Sequence, residues 1–255
     1  MQDPYGPIAR FYDRVAGEHG EDIALYEALA YRFGDPVLEI GAGTGRVAVP
    51  LAQAGHTVVA LDASPAMLAL GREKAGDTPR IEWRQGRVED FADPRPFGLA
   101  FCAIDSFLHL ASDAAQRDAL AAVRRALRPG GCLALDLPSL AAWADWEPGV
   151  RPLDLVWTEP RPDGGTLAYF TTFRADPAAQ ARHVTHLFEE IAPDGGVRRS
   201  LATFDLRFVG RFEAEHLLAR AGFRVTGVHG DYDLGPLTPL SDRLIVLAEP
   251  TGEGP

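Results

Sequence analysis

Lysine is nearly missing from this 255-residue chain, where Lys74 stands alone against twenty-four arginines. That bias, beside abundant alanine, glycine and proline, points to a GC-rich, bacterial coding genome rather than to an activity. Positive charge is scarce as well: 25 basic residues face 36 acidic ones, for a net charge of -11. Such a balance disfavours the broad cationic footprint that nucleic-acid binding uses, so no nucleic-acid partner is expected and a small-molecule substrate is. There are two cysteines, Cys102 and Cys132, each inside an apolar run, which reads as two buried core thiols and not as a disulfide or a metal site. Long apolar runs are absent. The longest, Phe97 to Ile104, has eight residues, against roughly 20 for a bilayer span. The opening Met1-Gln2-Asp3-Pro4-Tyr5 is neither basic nor followed by an apolar stretch, so it does not read as a signal peptide, and a cytoplasmic location is expected.

What the chain does have is 46% hydrophobic residues in a rhythm of short apolar runs and amphipathic segments, the pattern of βαβ units in a parallel sheet. Strands are expected over Val37–Ile40, Thr57–Leu61, Ile81–Gln85, Leu99–Ile104 and Cys132–Leu137. Helices are expected between them, notably Pro65–Ala75 and Ala114–Leu127, the latter stopped by Arg128-Pro129-Gly130-Gly131. From Ser139 the rhythm changes. The β-rich runs Leu153–Trp157, Thr166–Arg174, Arg182–Ile191 and Val197–Phe208 are separated by turn clusters such as Pro193-Asp194-Gly195-Gly196, as in an antiparallel meander. The helix and strand pattern then resumes with Glu213–Ala221, Phe223–His229 and Arg243–Ala248. This predicts one α/β domain, residues 1–138 and 209–255, carrying a β insert over 139–208.

Strand Val37–Ile40 runs directly into Gly41-Ala42-Gly43-Thr44-Gly45, placing a glycine loop at the carboxyl end of a parallel strand, where open α/β sheets bind ligands. A dinucleotide fingerprint beginning at Gly41 needs a sixth-position glycine, and Arg46 stands there; no phosphate-gripping GK[ST] follows either. Instead the pattern is Glu39-x-Gly-x-Gly-x-Gly, an acidic strand residue beside glycines that permit close backbone approach. It suits a cationic, phosphate-free ligand such as S-adenosylmethionine, while a plain tight turn explains the glycines alone. Asp62, 17 residues beyond Gly45, ends the second strand where a carboxylate accepts hydrogen bonds from a ribose diol. The run Asp62-Ala63-Ser64-Pro65 equally suits a helix start with Ser64 as N-cap. Met67 lies one turn on, available to an adenine face or to the core.

Three segments in order, Leu38-Glu39-Ile40-Gly41-Ala42-Gly43-Thr44-Gly45-Arg46, Asp62-Ala63-Ser64-Pro65-Ala66-Met67-Leu68 and Leu127-Arg128-Pro129-Gly130-Gly131, resemble class I S-adenosylmethionine-dependent methyltransferases. The likeness covers roughly Ala9 to Leu137 and resumes from Phe212 to Ala248. It implies a Rossmann-like, doubly wound, mostly parallel seven-stranded sheet closed by an antiparallel hairpin. It also implies that Glu39, Gly41, Ala42 and Gly43 face the methionine end, Asp62 the ribose, and Ala63, Met67, Arg87, Val88 and Glu89 the adenine. Many relatives carry an acidic residue where Arg87 stands, so the Val88 backbone or Glu89 takes the adenine amino contact here. The opening Arg10-Phe11-Tyr12-Asp13 is similar to a segment that folds over the cofactor, with Tyr12 closing the site and Tyr5 a second candidate.

The run Ile104-Asp105-Ser106-Phe107-Leu108-His109-Leu110 follows the fourth strand, where the transferable methyl group would point. Alignment of donor and acceptor contributes about 7–11 kcal/mol in such in-line displacements, and a general base adds about 10² to 10⁴-fold. His109 is the candidate base, because imidazole titrates near neutral pH; Ile104 and Asp105 are expected at the cofactor and Ser106 near cofactor or acceptor. Trp157, Tyr169, Phe170 and Phe173 of the insert are expected to line an acceptor pocket or a dimer contact, leaving a monomer or a homodimer open. His183-x-x-His186 does not read as a metal site, since strand residues three apart face opposite sides. Gly230-Asp231-Tyr232-Asp233 falls at the same sheet edge. The expected activity is methyl transfer to a small acceptor, nitrogen slightly favoured over oxygen. A cofactor-binding protein without turnover and a dinucleotide oxidoreductase are the alternatives.

Overall fold

In the computed structural model, which describes residues 3–15, 20–143 and 147–252, the apolar runs of the first half become β1 (Val37–Ile40), β2 (Val58–Asp62), β3 (Ile81–Gln85), β4 (Phe97–Cys102) and β5 (Leu127–Pro138). Met1 and Gln2 of the N-terminal reading lie outside the described residues. The meander follows as β6 (Gly149–Val150), β7 (Asp154–Pro160), β8 (Thr166–Asp176), β9 (Ala181–Ile191) and β10 (Val197–Arg207). The chain then returns with β11 (Phe223–His229) and β12 (Arg243–Pro250). Strands β1 to β5, β11 and β12 form one seven-stranded sheet in the order β11-β12-β5-β4-β1-β2-β3. Its members from β5 to β3 run parallel, and the β11–β12 hairpin is antiparallel. The meander makes a separate antiparallel sheet, β10-β9-β8-β6, with β7 also on β8.

Side-chain alternation decides which face each residue serves. Leu38, Ile40, Val59, Leu61, Ala100, Cys102, Leu133, Leu135, Leu244 and Val246 enter one core. Val37, Val58, Ala60, Leu99, Phe101, Cys132, Ala134, Ile245 and Leu247 enter the other. Both faces are therefore apolar, as a sheet covered on both sides demands. The first core is closed by α5 (Asp113–Ala126) and α6 (Arg211–Arg220), the second by α2 (Glu21–Phe33) and α3 (Ala48–Gln53). On the second face two alternation positions are carboxylates, Glu39 on β1 and Asp136 on β5, 2% and 1% exposed. Both sit near the carboxyl ends of their strands, and both belong to the site.

Local signals account for the helix starts. Ser64 Oγ accepts from Met67 N at 3.1 Å at the head of α4 (Pro65–Ala75), with Pro65 in the first turn, and Ser112 caps Ala115 N at 3.1 Å at the head of α5. The short α1 (Tyr12–Val15) follows a 3-10 turn over Gly6–Phe11. Ile8 and Phe11 of that turn pack with Leu167, Tyr169, Phe188 and Ala202 into a third core, so the N-terminal segment is held against the second sheet.

Two expectations are corrected. The fourth strand ends at Cys102, two residues before Ile104, because Ile104 and Asp105 turn into the left-handed region at φ +32° and +60°. The fifth strand begins at Leu127, directly after the helix, because Leu127 pairs with Phe97. No helix among the described residues is long and apolar enough to cross a membrane.

Candidate active site

The glycine loop is built on backbone freedom that only glycine has here. Gly41 and Gly43 take φ +73° and +56°, and a Cβ on Gly41 would lie 2.9 Å from the Ser106 side chain. Beneath the loop, Glu39 is buried with its Oε2 lacking any hydrogen-bond partner among the described residues. Burial pushes its carboxyl up to about 8; Arg46 and the Ala48 amide pull the other way. A buried carboxylate oxygen without a donor is costly unless something completes it. The ammonium of S-adenosylmethionine has the charge and the protons to do so, and the glycine cradle leaves room beside it. Arg46, at the position a dinucleotide fingerprint reserves for glycine, forms a two-bond ion pair with buried Asp22 at 2.7 and 2.5 Å. The side chain that breaks the dinucleotide fingerprint is thus fixed by a partner in the loop's own surroundings.

Asp62 joins the glycine loop to the helix that follows it. Its Oδ2 accepts from Gly43 N and its Oδ1 from Ser64 N, each at 2.7 Å, tying the glycine loop to the start of α4. Burial raises its pKa against these amide bonds. The N-terminal segment closes over the loop. Asp13 accepts from Thr44 Oγ1 at 2.5 Å and pairs with Lys74 at 2.6 Å, and Tyr12 would lie 3.7 Å from a Cβ on Gly43. Burial raises the Tyr12 hydroxyl to about 12. Asp3 reaches the same corner, accepting from Ser64 Oγ at 2.9 Å. At the far end Arg87 spends its guanidinium on Glu89, and Val88 is buried.

The turn after β4 is held by a buried ionic network. Asp136 accepts from Ile104 N (3.1 Å), Tyr232 Oη (3.2 Å), Tyr26 Oη (3.4 Å) and Arg243 Nε (2.7 Å), while Arg243 also holds Asp105 at 2.8 Å. A β-branched residue at positive φ is strained, at about 1–3 kcal/mol, and these bonds hold Ile104 there. The result is to present Ser106 and His109 on a short 3-10 turn. His109 Nε2 lies 3.1 Å from the Tyr5 hydroxyl, and burial, helped by neighbouring His186, lowers its pKa to about 4.

These pieces enclose two joined chambers. An outer one of about 670 Å³ is lined by Gly43, Asp62, Ala63, Met67, Arg87, Val88 and Glu89. An inner one of about 280 Å³ is lined by Glu39, Ala42, Arg46, Ile104 and Asp105. Tyr5, Tyr12, Gly41, Ser106, His109 and Phe204 line both. The expected cofactor residues, together with Tyr12 and His109, thus all line one cavity system. The insert contributes differently from expectation. Trp157 and Tyr169 pack around Phe188 in the third core, and Phe173 lies under Arg182, whereas Phe204 and His186 are the rings that face the chambers. His183 turns to the opposite face and bonds Asp205 at 2.8 Å. His186, Phe204, Asp136 and Arg243 were missed: the first two lie on strands whose inward face depends on how the insert packs, and the last pair meet from residues 107 apart.

A family model described as a methyltransferase domain matches residues 37–131. An uncharacterized methyltransferase of Synechocystis sp. is 36% identical over 63% of this chain and 78% of its own length. The cypemycin N-terminal methyltransferase of a Streptomyces sp. is 30% identical over 85% of this chain and 83% of its own. Among solved structures, the CcbJ methyltransferase of Streptomyces caelestis superposes with a TM-score of 0.83 over 98% of this chain and 99% of its own, at 24% identity, so it shares the fold. With the glycine loop, the orphaned Glu39 oxygen and Asp62 in place beneath one cavity, the chain belongs to the class I S-adenosylmethionine-dependent methyltransferases and is an enzyme of that family.

Proposed function

We propose that this methyltransferase acts on a small molecule and methylates an amine nitrogen, with the outer chamber holding the nucleoside of the cofactor and the inner chamber its amino-acid end. The carrying observation is the state of His109. A hydroxyl acceptor must lose its proton as it attacks, which calls for a base of matched pKa. His109 has its pKa lowered to about 4 and hydrogen-bonds Tyr5, not a carboxylate that would raise its basicity. An amine in its free-base form needs no such help. The relative that methylates the N-terminus of cypemycin supports the same choice.

In this reading Glu39 and Gly41 hold the amino-acid end beside Ala42, Asp62 holds the ribose, and Ala63, Met67, Val88 and Glu89 flank the adenine. Tyr12 covers the junction of the chambers, and His109 accepts a hydrogen bond from the acceptor N–H. Asp105 acts through Arg243 to place that turn. When bound, the cofactor would supply a sulfonium methyl group to the acceptor nitrogen, the C–S bond's electron pair returning to sulfur as the N–C bond forms and the methylated ammonium releasing its proton to solvent. The insert, residues 139–208, serves as the wall of the acceptor site. Incubation with methyl-labelled S-adenosylmethionine and a panel of amines, phenols and carboxylates tests this. Label is expected on amines; label on phenols or carboxylates alone overturns the nitrogen assignment.

A further inference from the structure

Phe204 on β10 is surrounded by three rings from three distant parts of the chain. Tyr5 of the N-terminal segment stacks on it with centroids 5.0 Å apart, His109 approaches at 5.0 Å and His186 of β9 stacks at 5.2 Å. Each imidazole has one nitrogen engaged by a tyrosine: His109 Nε2 by Tyr5, and His186 Nδ1 by the Tyr169 hydroxyl. The other nitrogen of each has no hydrogen-bond partner among the described residues, yet both rings line the inner chamber. Tyr169 is itself anchored, stacked on Phe188 at 4.7 Å and 5% exposed, so the His186 ring is set from behind.

We propose that His186, oriented by Tyr169 with its Nδ1–H donating to the phenol oxygen, is a second acceptor-binding residue, whose unprotonated Nε2 takes a hydrogen bond from the substrate amine across Phe204 from His109. The β insert then supplies one side of the acceptor site and contributes to the choice of an amine. The inference rests on the reading above and deepens it. Burial lowers the pKa of His186, as of His109, to about 4, so both rings are neutral hydrogen-bonding partners near neutral pH and do not repel a cationic nitrogen.

The test needs no acceptor. Sinefungin carries an amine where the transferable methyl would be, and S-adenosylhomocysteine carries nothing there. By calorimetry the wild-type protein is expected to bind sinefungin about tenfold more tightly than S-adenosylhomocysteine. His186→Phe, which keeps a ring, is expected to reduce that ratio by about fivefold while S-adenosylhomocysteine affinity, which also reports folding, stays within about twofold. His186→Gln should restore part of the ratio, and His183→Phe, on the opposite face, should leave it unchanged. A ratio unmoved in His186→Phe overturns the role of His186 and leaves the proposed function standing. Failure of the wild-type protein to bind either ligand overturns both.

Discussion

Glu39 shows how a residue held for a ligand differs from one held for the fold. It occupies an apolar alternation position on β1, is 2% exposed, and has one oxygen without a donor. A charge-assisted hydrogen bond to the cofactor's ammonium is worth about 1.5–3 kcal/mol. Glu39→Gln is therefore expected to weaken S-adenosylhomocysteine binding by about 10- to 100-fold, read by calorimetry. The same change should stabilise the empty protein. With its pKa raised from an ordinary 4.5 to about 8, the folded chain holds a proton on Glu39 that the unfolded chain releases. Stability from this group is complete below about 4.5 and is lost as pH rises toward 8. The Tm of the Gln variant should therefore gain on wild type between pH 4.5 and 8, and a constant difference would mean that Glu39 is ionised in the empty protein.

At the scale of elements, the turn after β4 is the device that connects sheet to chemistry. Two residues at positive φ reverse the chain, and Asp136 on β5 with Arg243 on β12 lock the reversal. Arg243 touches neither chamber and acts through Asp105, so it is a positioning residue. Arg243→Met leaves Asp105 and Asp136 without their cation and is expected to cost about 3–5 kcal/mol in chemical denaturation. It should also lower kcat, since the displaced turn carries His109, and should weaken S-adenosylhomocysteine binding to a smaller degree, since the same turn packs against Gly41. Arg243→Lys restores charge without the two-point fork, so it should recover stability further than kcat. Equal recovery of both would reduce Arg243 to a structural role. The glycine loop works alongside this turn, because Gly41 and Ser106 pass so closely that neither element places its residues alone.

At the scale of the whole molecule, the cavity is closed by parts remote in sequence: the N-terminal segment, the turn after β4 and the second sheet meet around Phe204. Enclosure keeps two imidazoles neutral, and that has a signature in acid. An exposed imidazole titrates near 6.5, while His109 and His186 titrate at about 4 in the fold. As pH falls between those values the unfolded chain takes up protons the folded chain refuses, so stability falls with pH. Asp105 and Asp62, with raised pKa values, oppose this trend, and for that reason the comparison is made between variants. The double variant His109→Phe/His186→Phe should gain several degrees of Tm on wild type as pH falls from 6.5 to 4, at about 2–4 °C per kcal/mol. A difference that does not change with pH would show that both rings titrate normally.

The sequence by itself determined the parallel sheet, the meander and the cofactor cradle. The reason is that those features are local: side-chain alternation writes the strands, and Glu39, the glycines, Asp62 and Ser64 lie within a few residues of the turns they shape. The reach of His109 was legible too, since it sits just past the end of a strand. Tertiary structure alone decided that Asp105 would be held by Arg243, that the strand would stop before Ile104, and that Tyr169 would turn to a core while His186 turned to the cavity. On a strand, every residue faces one side or the other by parity alone, and which side is inward depends on what the sheet packs against. Here that partner is the N-terminal segment, more than 150 residues away from the strands it covers.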